Sequence, residues 1–338
     1  MKALVTGGGG FLGGALVAAL RGRGDEVIAV GRRTYAAATA LGARCVVSDL
    51  THDDPGLTEA MAGVDVVFHT AALPPPDGRW ADYVAANVDG TRRTLRAAEA
   101  AGVPVFVHTS TPSVAFDGRP QHRVTAQQAP IPLRHLSAYA ATKARAEHLA
   151  LTAHRPGFAV TALRPRLMYG PGEPHMLPLL IARHAAGRLR QVGDGTNLAS
   201  LTFLDNAVSA HLAAADALRA MGAAHPGGGQ AFFVADAEPV ALWPWIGHVL
   251  EAAGLPPLTR RVPARLAYGV GAVLEAVWRV LGRHDGPPMT RFAALNLSTT
   301  CTYDLAPLEA AFGWRPVVAG EDGLRATLAA IRAQARNG

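Results

Sequence analysis

Lysine is nearly absent from this chain: of 32 basic residues, only Lys2 and Lys143 are lysines. Arginine carries the rest, scattered apart from short pairs such as Arg32-Arg33, Arg92-Arg93 and Arg260-Arg261. A net charge of +6 without a basic tract reads as a solvated surface with a few anion contacts, not as a nucleic-acid-binding face. Cysteine is equally scarce. Cys45 and Cys301 have neither metal-ligand spacing nor the numbers for a disulfide framework, which fits a reducing, cytoplasmic setting. Charged residues make up only 17% against 49% apolar, enough to fill a sizeable core and to exclude a disordered chain. No transmembrane span is expected. Ala3–Leu20 is free of charge, but six of its residues are glycine, and a continuous helix loses about 1 kcal/mol at each. A strand–turn–helix explains that segment better than a signal peptide does. The apolar segment Leu266–Leu281 is interrupted by Glu275 and Arg279.

What is present is alternation. The 338 residues suit two domains. Short β-branched runs at Lys2–Thr6, Glu26–Val30, Arg44–Ser48, Val64–His69, Val103–Ser110 and Ala159–Arg164 predict strands. Between them, Phe11–Arg23, Thr58–Ala62, Arg79–Ala101 and Ser137–His154 predict helices. Such a chain makes an α/β fold, a doubly wound parallel sheet of the Rossmann type. After Pro165 the prolines at 171, 174 and 178 break the pattern before a helix near Leu179–Gly187. Leu201–Asp205 and Phe232–Ala235 then read as strands, and the last third as mainly helical. The expected division is a dinucleotide-binding domain over residues 1–166, to which the chain returns near 201–236. Residues 167–200 and 237–338 form a smaller substrate domain.

Thr6-Gly7-Gly8-Gly9-Gly10-Phe11-Leu12-Gly13 follows the first strand and opens the first helix. Gly7 suits a tight turn, Gly10 a close approach of backbone to pyrophosphate, and Gly13 close packing of helix on strand. The helix N-terminus, through Phe11 and Leu12, offers free N–H groups to phosphates. The second strand ends in Gly31-Arg32-Arg33. An acid there would grip the ribose hydroxyls of NAD and repel a 2′-phosphate. Gly31 removes that repulsion and Arg32 supplies a phosphate fork, which points to NADP(H). Asp49, followed by Leu50, is set to meet the adenine or its ribose, or to cap a helix.

Tyr139-Ala140-Ala141-Thr142-Lys143 sets a phenol and an ammonium four residues apart, on one helix face. A nearby positive charge favours the phenolate and lowers the pKa, which suits an acid–base catalyst. His108-Thr109-Ser110-Thr111-Pro112-Ser113 brings hydroxyls to a strand's carboxyl end, where one could polarise a substrate carbonyl. Ordinary strand-end turn chemistry is the competing explanation.

Taken in order, Thr6–Gly13, His69-Thr70-Ala71-Ala72, Asn87-Val88-Asp89-Gly90-Thr91, Thr109-Ser110-Thr111, Tyr139/Lys143 and Arg164-Pro165 resemble the extended short-chain dehydrogenases over nearly the whole chain. The resemblance implies Tyr139 as acid/base, Lys143 as the charge beside it and the holder of the nicotinamide ribose, and Thr111 in the usual serine position, with Ser110 as the alternative. It also implies that Ala71 and Ala72 line the cofactor, that Pro165 borders the nicotinamide, and that Asn87 supports the site.

Asn197-Leu198 and Leu201-Thr202-Phe203 stand where nucleotide-sugar epimerases and dehydratases usually carry a phosphate-side arginine. The pattern is similar instead to the 3β-hydroxysteroid dehydrogenase branch. Within it, Thr109–Val114 and the Gly7–Gly10 run are similar to bacterial olefin-biosynthesis reductases, which act on 2-alkyl-3-keto acids. The implied function is NADPH-dependent reduction of an apolar β-keto acid by a homodimer. A hydroxysteroid dehydrogenase, a nucleotide-sugar enzyme and a non-catalytic NADP-binding regulator are the alternatives. Arg166 could meet a substrate carboxylate or be structural. Leu266–Leu281 fits an apolar substrate wall, a peripheral membrane contact or a packing helix.

Overall fold

A computed structural model of the chain describes residues 1–75, 79–129, 131–283 and 286–337. Seven strands, β1 (Lys2–Thr6), β2 (Glu26–Gly31), β3 (Arg44–Val47), β4 (Val66–His69), β5 (Val105–Thr109), β6 (Ala159–Pro165) and β7 (Ala231–Val234), make one parallel sheet. Their order is β3-β2-β1-β4-β5-β6-β7, so the winding reverses between β1 and β4. The crevice beyond the carboxyl ends at such a reversal is where ligands of these sheets bind.

Both faces of the sheet are covered, which is why its strands read as unbroken apolar runs; β4, β5 and β6 are buried at every residue. The period-2 alternation divides the core. Ala3 and Val5 pack beneath α1 (Phe11–Gly22), while Leu4 and Ile28 pack toward α2 (Gly90–Ala100) and α3 (Ala138–Thr152). Beside α1 lies α4 (Leu204–Met221), whose alanines at 207, 210, 214 and 215 are fully buried against the sheet.

Besides shifted ends and a few short unforeseen elements, two stretches differ from the sequence expectation. The helix expected over Arg79–Ala101 is Trp80–Tyr83, a π-helical turn at Val84–Asp89, and then α2. The strand expected at Leu201–Asp205 is only Thr202–Phe203. Leu204 already begins α4, and Asp205 in its first turn complements the helix dipole.

The smaller part is mainly helical. Met176–Ala185, α5 (Leu242–Ala252), α6 (Ala264–Val280), α7 (Arg291–Ser298) and α8 (Gly320–Asn337) accompany three small sheets. One of these sheets joins Gln121–Val124, far from the others in sequence, to Cys301–Tyr303. A second core of Tyr169, Leu177, Leu201, Trp243, Trp245 and Ile331 holds these elements together. α6 turns an apolar stripe outward, through Leu266, Val270, Val273, Val277 and Val280. Among the described residues, no helix is long and apolar enough to cross a membrane.

Candidate active site

A cavity of about 1070 Å³ opens at the carboxyl ends of the strands, between the sheet and the smaller part. Gly7, Gly10, Phe11, Leu12, Gly13, Arg32, Asp49, Leu50, Ala71, Ala72, Thr111, Tyr139, Lys143 and Pro165 all line it. The sequence had singled out each of them.

The glycine turn is forced by geometry. Gly7 has φ +69° and donates its N–H to Val30 O at 2.9 Å. A Cβ on Gly13 would stand 2.1 Å from Gly7 O, so any side chain there would push α1 off β1. Gly10 caps α1 without a side chain, and the first turn holds no acid. The N–H groups of that turn are therefore left for an anion. Tyr35, which the sequence reading passed over, lays its ring against Gly9 and Gly31 and also lines the cavity.

Arg32 and Arg33 lie exposed on the rim, and among the described residues neither forms an ion pair. Asp49 caps no helix. Its Oδ1 accepts from Thr51 N (2.9 Å) and Thr51 Oγ1 (2.8 Å), and these bonds lower its pKa, with His52 and Arg32 adding to the effect. The helix that follows, Pro55–Ala60, is capped by Asp54 instead.

Ser137 caps α3, accepting from Ala140 N at 3.2 Å, and so fixes the helix that carries Tyr139, Lys143 and Glu147 at successive turns. Lys143 is 3% exposed and donates from Nζ to Thr109 O at 2.6 Å. Burial pushes its ammonium down to about 8, while Glu147 pulls the other way. Glu147 itself is paired with Arg164, whose Nε lies 2.8 Å from its Oε2. The expected lowering of the Tyr139 pKa by Lys143 is not found. Burial pushes the phenol up to about 12, opposed only by a hydrogen bond with Thr111, and the ammonium is turned to the Thr109 carbonyl. Tyr139 is thus a neutral phenol at physiological pH.

Thr111 bears on the phenol, pulling its pKa down against burial. The Thr111 hydroxyl closes the strand-end turn, accepting from Ser113 N at 3.3 Å, as the turn-chemistry explanation expects. Ser110 Oγ is buried without a partner. Asn87 lies in the π-turn, where its Oδ1 accepts from Leu73 N (2.7 Å) and its Nδ2 donates to Thr142 Oγ1 (3.2 Å). It ties the wall carrying Ala71 and Ala72 to α3, a use typical of π-turns near functional sites. Below, burial holds His69 near 3 and His211 near 4, so neither imidazole adds charge to this floor at neutral pH.

From the smaller part, Phe292 and Asn296 of α7 reach the cavity, together with Pro174 and His175. The sequence reading missed these four, since only an i, i+4 spacing marks the first two. No residue of α6 lines the cavity, so it is not a substrate wall. It braces α7 instead. Glu275 accepts from Arg291 N and Nε, each at 2.7 Å, and a Cβ on Gly271 would meet the Thr290 backbone at 2.6 Å.

This doubly wound sheet, its glycine turn and the Thr111–Tyr139–Lys143 group define an oxidoreductase of the extended short-chain dehydrogenase kind. The sequence model of the 3-beta hydroxysteroid dehydrogenase/isomerase family matches residues 4–263, and the chain belongs to that family. It is 41% identical to the 2-alkyl-3-oxoalkanoate reductase of Stenotrophomonas maltophilia, over 96% of this chain and 98% of the relative. The enzyme of the same name from Shewanella oneidensis is 37% identical, over 97% and 86%. Among solved structures, MoeE5 in complex with UDP-glucose and NAD superposes with a TM-score of 0.72 at 27% identity, covering 99% of each chain.

Proposed function

We propose that this protein is an NADPH-dependent reductase of long 2-alkyl-3-keto acids, giving the 3-hydroxy acids. The observation that carries the reading is the near-full-length similarity to 2-alkyl-3-oxoalkanoate reductases, joined to Thr111, Tyr139 and Lys143 lining one cavity. Residues 1–166 with 201–236 hold the cofactor, and residues 167–200 and 237–338 close on the substrate.

The uncapped start of α1, the unpaired Arg32 and the side-chain-free Gly31 fit a dinucleotide with a 2′-phosphate. Asp49 and Leu50 meet its adenosine end, and Ala71, Ala72 and Pro165 flank the nicotinamide. When bound, the reduced dinucleotide supplies the hydride that reduces the carbonyl carbon. Thr111 donates a hydrogen bond to the carbonyl oxygen, drawing electron density from the carbon. Tyr139 transfers its phenolic proton to that oxygen as negative charge develops there. Lys143, one helical turn from Tyr139 and charged below about 8, would hold the nicotinamide ribose from the cavity floor.

The test is NADPH oxidation with 2-alkyl-3-keto acids of increasing chain length, beside a 3-ketosteroid and a nucleotide sugar. Each buried methylene contributes about 0.8 kcal/mol, so kcat/KM should climb about fourfold per carbon until the pocket is full. Flat rates with chain length would sink the assignment. Faster turnover of the steroid or the nucleotide sugar would hand it to those classes.

A further inference from the structure

Two arginines stand two residues apart at the end of β6, and both are buried: Arg164 is 3% exposed and Arg166 5%. Arg164 has an acid, Glu147, within its fork. Arg166 has none. Among the described residues, its partners are all neutral: Nη1 donates to Tyr303 Oη at 3.2 Å and Nη2 to Asn296 Oδ1 at 3.0 Å, with the Cys301 thiol beside it. Two hydroxyl and amide dipoles cannot replace the hydration of a full charge, and a buried guanidinium stays protonated whatever its surroundings. A cation in this position lacks its anion.

Arg166 lines the cavity, as do its partner Asn296 and the residues on either side of it, Pro165 and Leu167. Its backbone is fixed. The Arg166 N–H donates to Thr202 Oγ1 at 3.0 Å, and Leu167 is held at φ +41°, a left-handed conformation uncommon for leucine. The next residues, Met168–Tyr169, are pinned by pairing with Thr202–Phe203. Asn296 is held in turn by α7, which Thr290 caps and Glu275 anchors.

We infer that Arg166, with Asn296, is the anchor for the substrate carboxylate, a subsite that selects β-keto acids over neutral ketones. This rests on the reductase reading above and names the group of the substrate that it leaves unassigned. The guanidinium has five N–H donors, of which the Tyr303 and Asn296 bonds use two and the Cys301 thiol engages another, and a planar carboxylate matches the geometry of its fork. Asn296 accepts from Arg166 through Oδ1, which leaves its Nδ2 to donate to the same carboxylate. With the carboxylate held there and the carbonyl at Thr111 and Tyr139, the substrate is gripped at two points and cannot bind reversed.

The experiment runs the reaction in the oxidising direction, where the substrates are stable. A 2-alkyl-3-hydroxy acid and its methyl ester are compared with NADP⁺, using wild type, Arg166→Gln and Asn296→Asp. Wild type should prefer the acid. Arg166→Gln should lose about 10- to 100-fold or more in kcat/KM on the acid, through KM first, with ester turnover within about threefold of wild type. Asn296→Asp places a carboxylate beside Arg166 and should reject the acid while sparing the ester, which also shows that the variant is folded. Equal losses on acid and ester in both variants, or a wild type indifferent between them, would overturn the anchor and leave the reductase reading standing. A wild type that turns over neither compound would remove the reductase reading, and the anchor with it.

Discussion

The two sides of the cleft are built from different materials. On the sheet side, the candidate reacting groups sit at strand ends and on one long helix, each fixed by near neighbours: Ser137 caps α3, Thr109 O holds Lys143, and Thr111 accepts from Ser113 N. On the facing side, Phe292 and Asn296 come from the short helix α7, which a neighbouring helix braces, and Asn296 meets Arg166 at the end of β6. On the proposed reading, the sheet side would carry the chemistry common to all substrates, whereas the facing side would read one substrate through a few side chains far apart in sequence. Substitutions on the first side should therefore act on all substrates alike, and those on the second should discriminate among them.

The largest effect is expected at Tyr139. Tyr139→Phe keeps the ring and removes the proton, and turnover should fall about 10²- to 10⁴-fold on acid and ester alike. NADPH affinity, measured by fluorescence titration, should change by less than about twofold. A variant that keeps a third of wild-type turnover would remove Tyr139 from the chemistry and erase the contrast between the two sides.

The next largest concerns what the buried ammonium costs the fold. Folded Lys143 gives up its proton near 8 and an unfolded lysine near 10.5, so between these values the unfolded chain binds more protons. Stability should consequently rise with pH across that window, by up to about 3 kcal/mol from this one group. Urea unfolding of wild type and Lys143→Met at both ends of the window checks the sign. The variant's curve should lack the rise, and parallel curves would mean that Lys143 is solvated after all.

The smallest of the three concerns the cofactor. Arg32→Ala removes a charge-assisted contact available only to the 2′-phosphate, worth about 1.5–3 kcal/mol. NADPH should bind about 10- to 100-fold more weakly and NADH unchanged, by the same titration. Equal weakening of both would make Arg32 a general rim cation.

The same division explains what could be read from the sequence. The sheet side was legible because its constraints are local. Gly7 needs its positive φ, Gly13 its bare Cα, and Tyr139 and Lys143 meet through a four-residue helical spacing. The central strands were legible because burial on both faces leaves unbroken apolar runs. Tyr35 was missed because its contact with Gly9 and Gly31 depends on how the loop after β2 folds back. Asn296 could not be found, since 130 residues separate it from the arginine it meets. The apolar content of Leu266–Leu281 suggested a wall, but composition does not say which face a helix turns inward, and α6 turns its stripe outward. The Tyr139 pKa was misjudged for a related reason: spacing gives neighbours along a helix, while the direction of the lysine amine is set by the Thr109 carbonyl on another strand.

The shortage of lysine makes the reacting ammonium close to a solitary one. The chain has two side-chain amines, in opposite settings: Lys2 on the surface near Glu26 and the Ala62 carbonyl, and Lys143 buried at the cleft floor. In a sample labelled with 15N at lysine, the amine region of the NMR spectrum holds one solvent-averaged signal and one from the centre of the reaction. Proton exchange, ligand entry and phenol ionisation can each be followed at that second nucleus without removing a single residue.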